Sequence, residues 1–281
     1  RHSSSAASDV YKRQPYYVLD YTESFSKNVV DNFTQMYAQG LTPNPCVECN
    51  RSVKFDHFIN QAKKLNCDKV ATGHYAKIIK KNDNYELHKA DYLDKDQSYV
   101  LHMLQSSDLE NITFPLGEIS KPEVRQIAAR IGLRTAFKKD SQDICFVGKK
   151  DYRSFVEKRI DLTSPGEIFD TKGNKVGDHN GIHEFTVGQR KGLPGGYGTP
   201  RYVTKINVQN KNVTIGEKND LLVSSFIIEE LSCINDLEYK NLTIQTRYNS
   251  EDLPCEIKKL SDTEVLVPVS YTHLTLPTNC V

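Results

Sequence analysis

The first half of the chain alternates strand-like apolar runs with apolar residues at helical spacing. Residues 15–21 form a short β-rich run. Phe25, Val29, Phe33 and Met36-Tyr37 then recur on one helical face, and Gly40 closes the helix. Residues 41–50 hold two prolines and read as a loop. Phe55, Phe58, Ile59, Ala62 and Leu65 predict a second helix, and Lys69-Val70-Ala71-Thr72-Gly73 predicts a buried strand ending in a glycine turn. Strand, helix, helix, strand predicts an α/β layer with a parallel sheet. Residues 75–79 and 85–88 predict a hairpin around Asn82-Asp83-Asn84. Ser120-Lys121-Pro122-Glu123 is a helix start, with a serine cap, proline in the first turn and Glu123 as capping-box partner. Val124, Ile127, Ala128 and Ile131 are the expected buried face of that helix, and Gly132 its end.

After Gly148 the texture changes. One helix (Tyr152, Phe155, Val156) leads into short strand candidates at 167–170, 175–177 and 184–187, separated by Lys172-Gly173-Asn174 and His179-Asn180-Gly181. Residues 203–208 and 213–216 predict another hairpin. From about Phe226 the pattern restarts, with candidates at 227–231, 242–247, 256–260 and 264–267. The expected organisation is an α/β domain over 15–147, a small central β domain over 148–222 and a further β unit over 223–268.

Composition narrows this picture. The 281 residues are 38% hydrophobic and 26% charged, typical of a globular chain. No apolar run approaches the roughly 20 residues that a membrane-spanning helix needs. The two ends stand apart. Asp9-Val10-Tyr11-Lys12-Arg13-Gln14 resembles a translated transposon end used in making sequencing libraries, and Val269-Ser270-Tyr271-Thr272-His273-Leu274 resembles the opposite strand. Residues 1–14 and 269–281 are therefore expected to be non-native tails and are kept out of the fold reasoning. Without them the formal charge moves from +1 to −1, with 34 basic and 35 acidic residues. A near-neutral chain gives no global electrostatic case for nucleic acid, so an RNA site must be a local basic patch. With no secretory signal visible, a reducing cytoplasm is the expected compartment, where cysteines are structural, metal-binding or catalytic.

Four places carry candidate chemistry. Cys46 and Cys49 form a CxxC, half of a zinc site, but no second CxxC or close Cys/His pair supplies the remaining ligands. Zinc, thiol chemistry and an inert pair all stay open on spacing alone. Cys145 follows the polar Asp140-Ser141-Gln142-Asp143 and precedes Phe146, as a residue at the edge of a site would. Thr72-Gly73-His74-Tyr75 follows a predicted strand, where α/β folds bind ligands and a glycine admits them to the backbone. Lys95-Asp96-Gln97-Ser98 reads, on composition, as a polar turn.

Taken together, eight segments stand in the order seen in tRNA-specific 2-thiouridylases. They are Thr42-Pro43-Asn44-Pro45-Cys46-Val47-Glu48-Cys49-Asn50, Lys54-Phe55, Ala71-Thr72-Gly73-His74-Tyr75, Lys95-Asp96-Gln97-Ser98-Tyr99, Phe114-Pro115-Leu116-Gly117, Lys121-Pro122-Glu123-Val124-Arg125, Asp140-Ser141-Gln142-Asp143-Ile144-Cys145-Phe146 and Thr186-Val187-Gly188-Gln189-Arg190-Lys191-Gly192-Leu193. The chain resembles that family over nearly all of 15–268. The resemblance implies an adenine-nucleotide alpha-hydrolase-like (PP-loop ATPase) α/β domain, a central β domain and a C-terminal β-barrel. It implies an enzyme that uses ATP and Mg2+ to replace O2 of the wobble uridine of tRNA by sulfur, through adenylation of O2 and delivery from a cysteine persulfide.

By the same resemblance Cys145 carries the persulfide and Cys49 is the nucleophile, leaving a Cys49–Cys145 disulfide that a reductant reopens. Gly73 would touch ATP. Asn44, Pro45 and Cys46 would line the flipped uridine. His74, Lys95, Asp96, Gln97, Arg247 and Tyr248 would contact tRNA. A sulfur-donor protein is the other implied partner. Two departures stand out. Cys46 occupies a position where the family often has aspartate. The family's phosphate-binding loop, Ser-Gly-Gly-Val-Asp-Ser, has no counterpart here, and the end of the C-terminal barrel is missing, so both terminal domains are expected to be truncated and this polypeptide inactive as it stands. The alternatives are another PP-loop adenylating sulfurtransferase or ligase, and a non-catalytic zinc-stabilised RNA-binding module.

Overall fold

The computed structural model describes residues 15, 17–140, 144–148, 152–160, 164–196, 198–235, 240–248 and 250–268. The two tails expected to be non-native lie outside these residues, as do Ser141, Gln142 and Asp143.

Helix α1 is continuous through Thr22–Phe25, a π-helical Ser26–Asp31 and Asn32–Ala38. It buries Val29, Phe33 and Tyr37, the face its periodicity predicts. Gly40 follows at φ +69°, and an added Cβ would meet Val208 and Ile206 at 3.1 and 3.2 Å. Both the turn and the close approach therefore call for glycine.

Helix α2 begins earlier than expected. Residues 45–50 are helical rather than loop, and the helix runs through Pro45–Glu48, a π-helical Cys49–Phe55 and Asp56–Lys64. The local reason is a helix-start signal: Asn44 accepts a hydrogen bond from the Cys46 amide at 3.2 Å, and Pro45 occupies the first turn. Phe55, Ile59 and Ala62 are buried as expected, while Phe58 stays largely exposed.

The parallel layer is small. β1 (Val70–Ala71) pairs with β4 (Ile112–Thr113), a strand the sequence pattern does not single out. β2 (Ala76–Lys81) and β3 (Asn84–Lys89) form the expected antiparallel hairpin, with Asn82 at φ 55° in the turn. Gly117 packs against β2 so closely that a Cβ would stand 2.1 Å from the Ala76 carbonyl oxygen, which explains the glycine of its motif. These elements share a core of Val47, Phe55, Ile59, Val70, Leu101, Leu109 and Ile112, among others. Between β3 and β4 the chain makes short helical turns at Leu93–Lys95 and Ser98–Leu101 and the four-residue helix α3 (Ser106–Leu109). Helix α4 (Lys121–Arg130) has its capping box, but the expected buried face is not buried: Ile127 and Ile131 are exposed and no residue of the helix is in the core. The spacing is right for an amphipathic helix. Val124 and Ala128 are half-buried, and the rest of the apolar side is left open among the described residues.

After α5 (Tyr152–Glu157), the central unit is a four-stranded sheet in the order β6-β5-β8-β7, built from β5 (Gly166–Asp170), β6 (Lys175–His179), β7 (Tyr202–Asn207) and β8 (Asn212–Gly216). The expected strand over 184–187 does not form. Ile182–Glu184 is a short 3-10 turn that folds Ile182 and Phe185 into the core of this sheet. The last unit is open. β9 (Ser225–Ile228), β13 (Val265–Pro268) and β12 (Lys258–Lys259) form one antiparallel sheet, and β10 (Leu242–Ile244) pairs only with β11 (Leu253–Cys255). The expected barrel is not closed among the described residues, because strands of two to four residues leave an unpaired edge on each sheet.

Candidate active site

Cys46 and Cys49 lie three residues apart on the first turns of α2, so both project from one face of a helix start. The third thiol arrives from a distant part of the chain. Ile144 and Phe146, which flank Cys145, pack on the aromatic cluster of α1 and α5, where Phe146 meets Phe33 at 5.3 Å and Phe25 at 5.6 Å, both edge to face. This brings Cys145 near enough to Cys46 and Cys49 to add to the upward push that burial gives both thiols. All three are free thiols.

A helix start and a nearby lysine both favour a thiolate. Burial wins here. It pushes the Cys46 and Cys49 thiols above their ordinary value, and the Lys54 ammonium offsets only part of that effect. Cys46 is exposed to solvent along one side, yet enough protein surrounds its sulfur for desolvation to dominate.

Lys54 is the residue that the sequence reading quoted without giving it a role. It faces the two thiols from one side and lines a cavity of about 570 Å³ on the other, with Tyr17, Tyr21, Phe58, Gly73, His74 and Gln97 among the walls. Gly73 needs no positive φ, and a Cβ there would meet only Leu116 at 3.8 Å. The protein itself thus does not demand a glycine at the cavity wall, as would be the case if the space over it were kept for a ligand. The aromatic and apolar walls suit a nucleoside. Among the described residues the lining holds one lysine and no carboxylate.

His74 was expected at the tRNA surface. The structure buries it, at 8% exposure, between Phe55 and Phe114, with Nδ1 2.8 Å from the Thr72 hydroxyl. Burial, and secondarily Lys54, lowers its pKa to about 4, so the ring is neutral near pH 7 and offers no charge to a phosphate.

Lys95, Asp96 and Gln97 have substantial intramolecular partners. Lys95 pairs with Asp140 at 3.1 Å. Asp96 accepts from the Ala90 amide at 2.7 Å and from Ser98 through both its amide and its hydroxyl. Gln97 bonds Tyr75 twice, its side chain accepting from the Tyr75 amide and its own amide donating to the Tyr75 carbonyl. The last β unit meets this turn: Tyr248 stacks edge-on against Tyr99 at 6.3 Å and feels the charges of Asp96 and Lys95. Arg247 lies against the Gly188 turn of the central unit, where a Cβ would stand 3.1 Å from its guanidinium. Asn44 and Pro45 line a separate cavity of about 260 Å³ beside Glu48, Arg51 and Glu230.

An α/β layer with a thiol cluster beside a nucleoside-sized cavity, followed by a small β unit, defines a class before it defines a protein. The tRNA methyl transferase HUP domain matches residues 6–149, and the tRNA methyl transferase PRC-barrel domain matches residues 153–217. The first match begins inside the stretch 1–14 that sequence reading set aside. A HUP (PP-loop) domain followed by a PRC-barrel domain is the architecture of this chain. Among curated proteins, it is 40% identical over 280 residues to a tRNA-specific 2-thiouridylase MnmA of Rickettsia prowazekii, covering 95% of this chain and 78% of that one. It is 42% identical over 260 residues to the protein of that name from Chloroflexus aurantiacus, covering 90% and 72%, and 40% identical to that of Leptospira interrogans, covering 91% and 69%. The chain belongs to the tRNA-specific 2-thiouridylase family. No helix among the described residues is long and apolar enough to cross a membrane.

Proposed function

We propose that this chain thiolates a tRNA uridine at C2, and that Cys49 and Cys145 carry the sulfur relay. The observation that supports this reading best is the nearness of Cys145 to the Cys46–Cys49 pair, which is also faced by Lys54, a residue that lines the cavity over Gly73. A relay of sulfur from a persulfide uses two thiols within reach of each other, which the Cys49 and Cys145 segments supply.

ATP is consumed as co-substrate and supplies activation, converting the poor leaving group O2 into part of AMP. The cavity fits its nucleoside, with Gly73 giving close access to the backbone and Lys54 a cation in the lining. Among the described residues the lining offers no carboxylate, and magnesium would come with the nucleotide's phosphates.

The Cys145 persulfide, loaded by a sulfur-donor protein, presents its terminal sulfur to C2 of the uridine, which AMP leaves. The Cys49 thiolate then attacks Cys145 Sγ. The bond to the delivered sulfur breaks with its electron pair going to the uridine, and a Cys49–Cys145 disulfide remains. A thiol reductant returns two electrons and two protons, which suits a reducing cytoplasm. The raised Cys49 thiol needs its proton removed first, and Cys46, in place of the more usual aspartate, is a poor base for that task. Lys54 is the group that favours the thiolate.

For the RNA, three cations gather on the carboxylate of Asp140, and one of them, Lys95, lies beside Tyr248 together with Asp96, which is held by Ala90 and Ser98. A phosphate would meet Lys95 there and an unstacked base would meet Tyr248. Asp96 and Gln97 hold this turn in shape, and His74 serves the cavity wall.

The test is thiolation of tRNA by the full-length gene product with ATP, Mg2+ and a persulfide donor. Wild type should form 2-thiouridine, and Cys49→Ser and Cys145→Ser should each fall below about a hundredth of its rate. Full activity in either variant, or stoichiometric zinc on Cys46 and Cys49, would overturn the relay.

A further inference from the structure

Three cations converge on one carboxylate five residues before Cys145. Lys95 Nζ lies 3.1 Å from Asp140 Oδ2, and Lys121 Nζ and Arg125 Nη2 each lie 3.3 Å from Oδ1. They come from two separate parts of the domain, the turn after β3 and helix α4. Lys121 also stands over the ring of Tyr75 at 5.4 Å, and Tyr75 directly follows His74 of the cavity wall. On the far side of Cys145, Phe146 and Val147 are held in the aromatic cluster with Phe33 and Phe155. Ile144 before the thiol also packs on that cluster, so ring packing holds both immediate flanks of Cys145, and Asp140 adds a second anchor, by charge, farther upstream. Exposed ion pairs add little to stability one at a time. Three on one carboxylate fix its direction, which no single pair would do.

We propose that Asp140 is a positioning residue for Cys145, its three-cation clamp holding that thiol within reach of Cys49. The proposal rests on the sulfur-relay reading for its purpose, but it is tested without that reaction. The clamp should raise the effective concentration of one thiol at the other. Under limiting diamide, a Sγ–Sγ bond forms between Cys145 and Cys49, two S–H bonds break, and two electrons and two protons pass to the N=N bond of diamide, which becomes a hydrazine. Mass spectrometry of the digested protein follows the cross-linked peptide over time.

Asp140→Asn should slow that cross-link about tenfold, and Asp140→Glu, which keeps the charge, should recover most of the rate. High salt should slow wild type several-fold more than Asp140→Asn, because only wild type has the exposed clamp to screen, while screening of Lys54 at Cys49 acts on both alike. A merely structural role would not produce that salt pattern. An Asp140→Asn protein that melts with wild type and cross-links at the wild-type rate overturns the proposal. If Asp140→Asn folds poorly, Lys121→Met/Arg125→Met dismantles the clamp from the other side, and a wild-type cross-linking rate there overturns it equally. Failure of the relay is read elsewhere, as thiolation that survives Cys145→Ser.

Discussion

The two cysteine-bearing segments of the site are held by opposite kinds of structure. Cys46 and Cys49 ride on a helix start that is specified locally, by the Asn44 cap, Pro45 in the first turn and the apolar face Phe55, Ile59, Ala62 below. Cys145 has no such element. Its neighbours make a turn, and what fixes them lies far away in sequence: Asp140 to Lys95, Lys121 and Arg125 on one side, Phe146 to Phe25, Phe33 and Phe155 on the other. One thiol can be placed by reading the consecutive residues from Asn44 to Ala62; the other is placed only once the domain has folded.

This contrast can be broken from the tertiary side with the largest effect. Phe33→Ala removes a fully buried ring that touches Tyr37, Phe146 and Phe155, and should cost roughly 3–5 kcal/mol by denaturant titration. It should also speed alkylation of Cys145 well beyond that of Cys49. Equal acceleration at both thiols would mean that the two segments share one support.

Acid acts on the floor beneath α2. His74 is neutral in the fold with a pKa near 4, against 6.5 for an unperturbed ring, so between those values the unfolded chain binds more protons and stability rises with pH. Lowering pH from 6.5 to 4 should remove about 3 kcal/mol, the energy of a shift of that size. The loss should shrink in His74→Gln, and an unchanged pH profile in that variant would place the acid-sensitive group elsewhere.

A smaller effect belongs to the local side. Asn44→Ala deletes the cap of α2 and should cost about 1 kcal/mol, with faster amide exchange confined to the first turn around Cys46 and Cys49. Exchange spreading to residues near Cys145 would show the two segments to be coupled. Smallest is Lys54→Met. It removes the cation that partly offsets burial at Cys46 and Cys49, so iodoacetamide should label Cys49 a few-fold more slowly at pH 8. In wild type the labelling rate should keep rising past pH 9, because the thiol sits above its ordinary value.

Much of the frame was legible in the sequence because it depends on short-range regularities. Helical spacing marked the buried faces of α1 and α2, Asn82 with Asp83 marked the hairpin turn, and Ser120 with Glu123 marked the capping box of α4. The eight ordered segments carried the family. The same reading placed residues 45–50 in a loop because it weighed two prolines above the Asn44-Pro45 helix start. It expected a buried face on α4 from periodicity alone, yet burial needs a partner surface that periodicity does not supply.

What the sequence by itself determined is the set of chemical parts: the cysteines, the glycine at a strand end and the turn at Lys95-Asp96-Gln97. Only the tertiary structure decided how those parts are used. It drew His74 into the core, where desolvation strips its charge, and gave Asp96 and Gln97 backbone partners. It set Lys54 between the thiols and the cavity and gathered three cations onto Asp140. Charge state and proximity depend on neighbours tens of residues away, and burial and Coulomb interactions are properties of the folded surroundings.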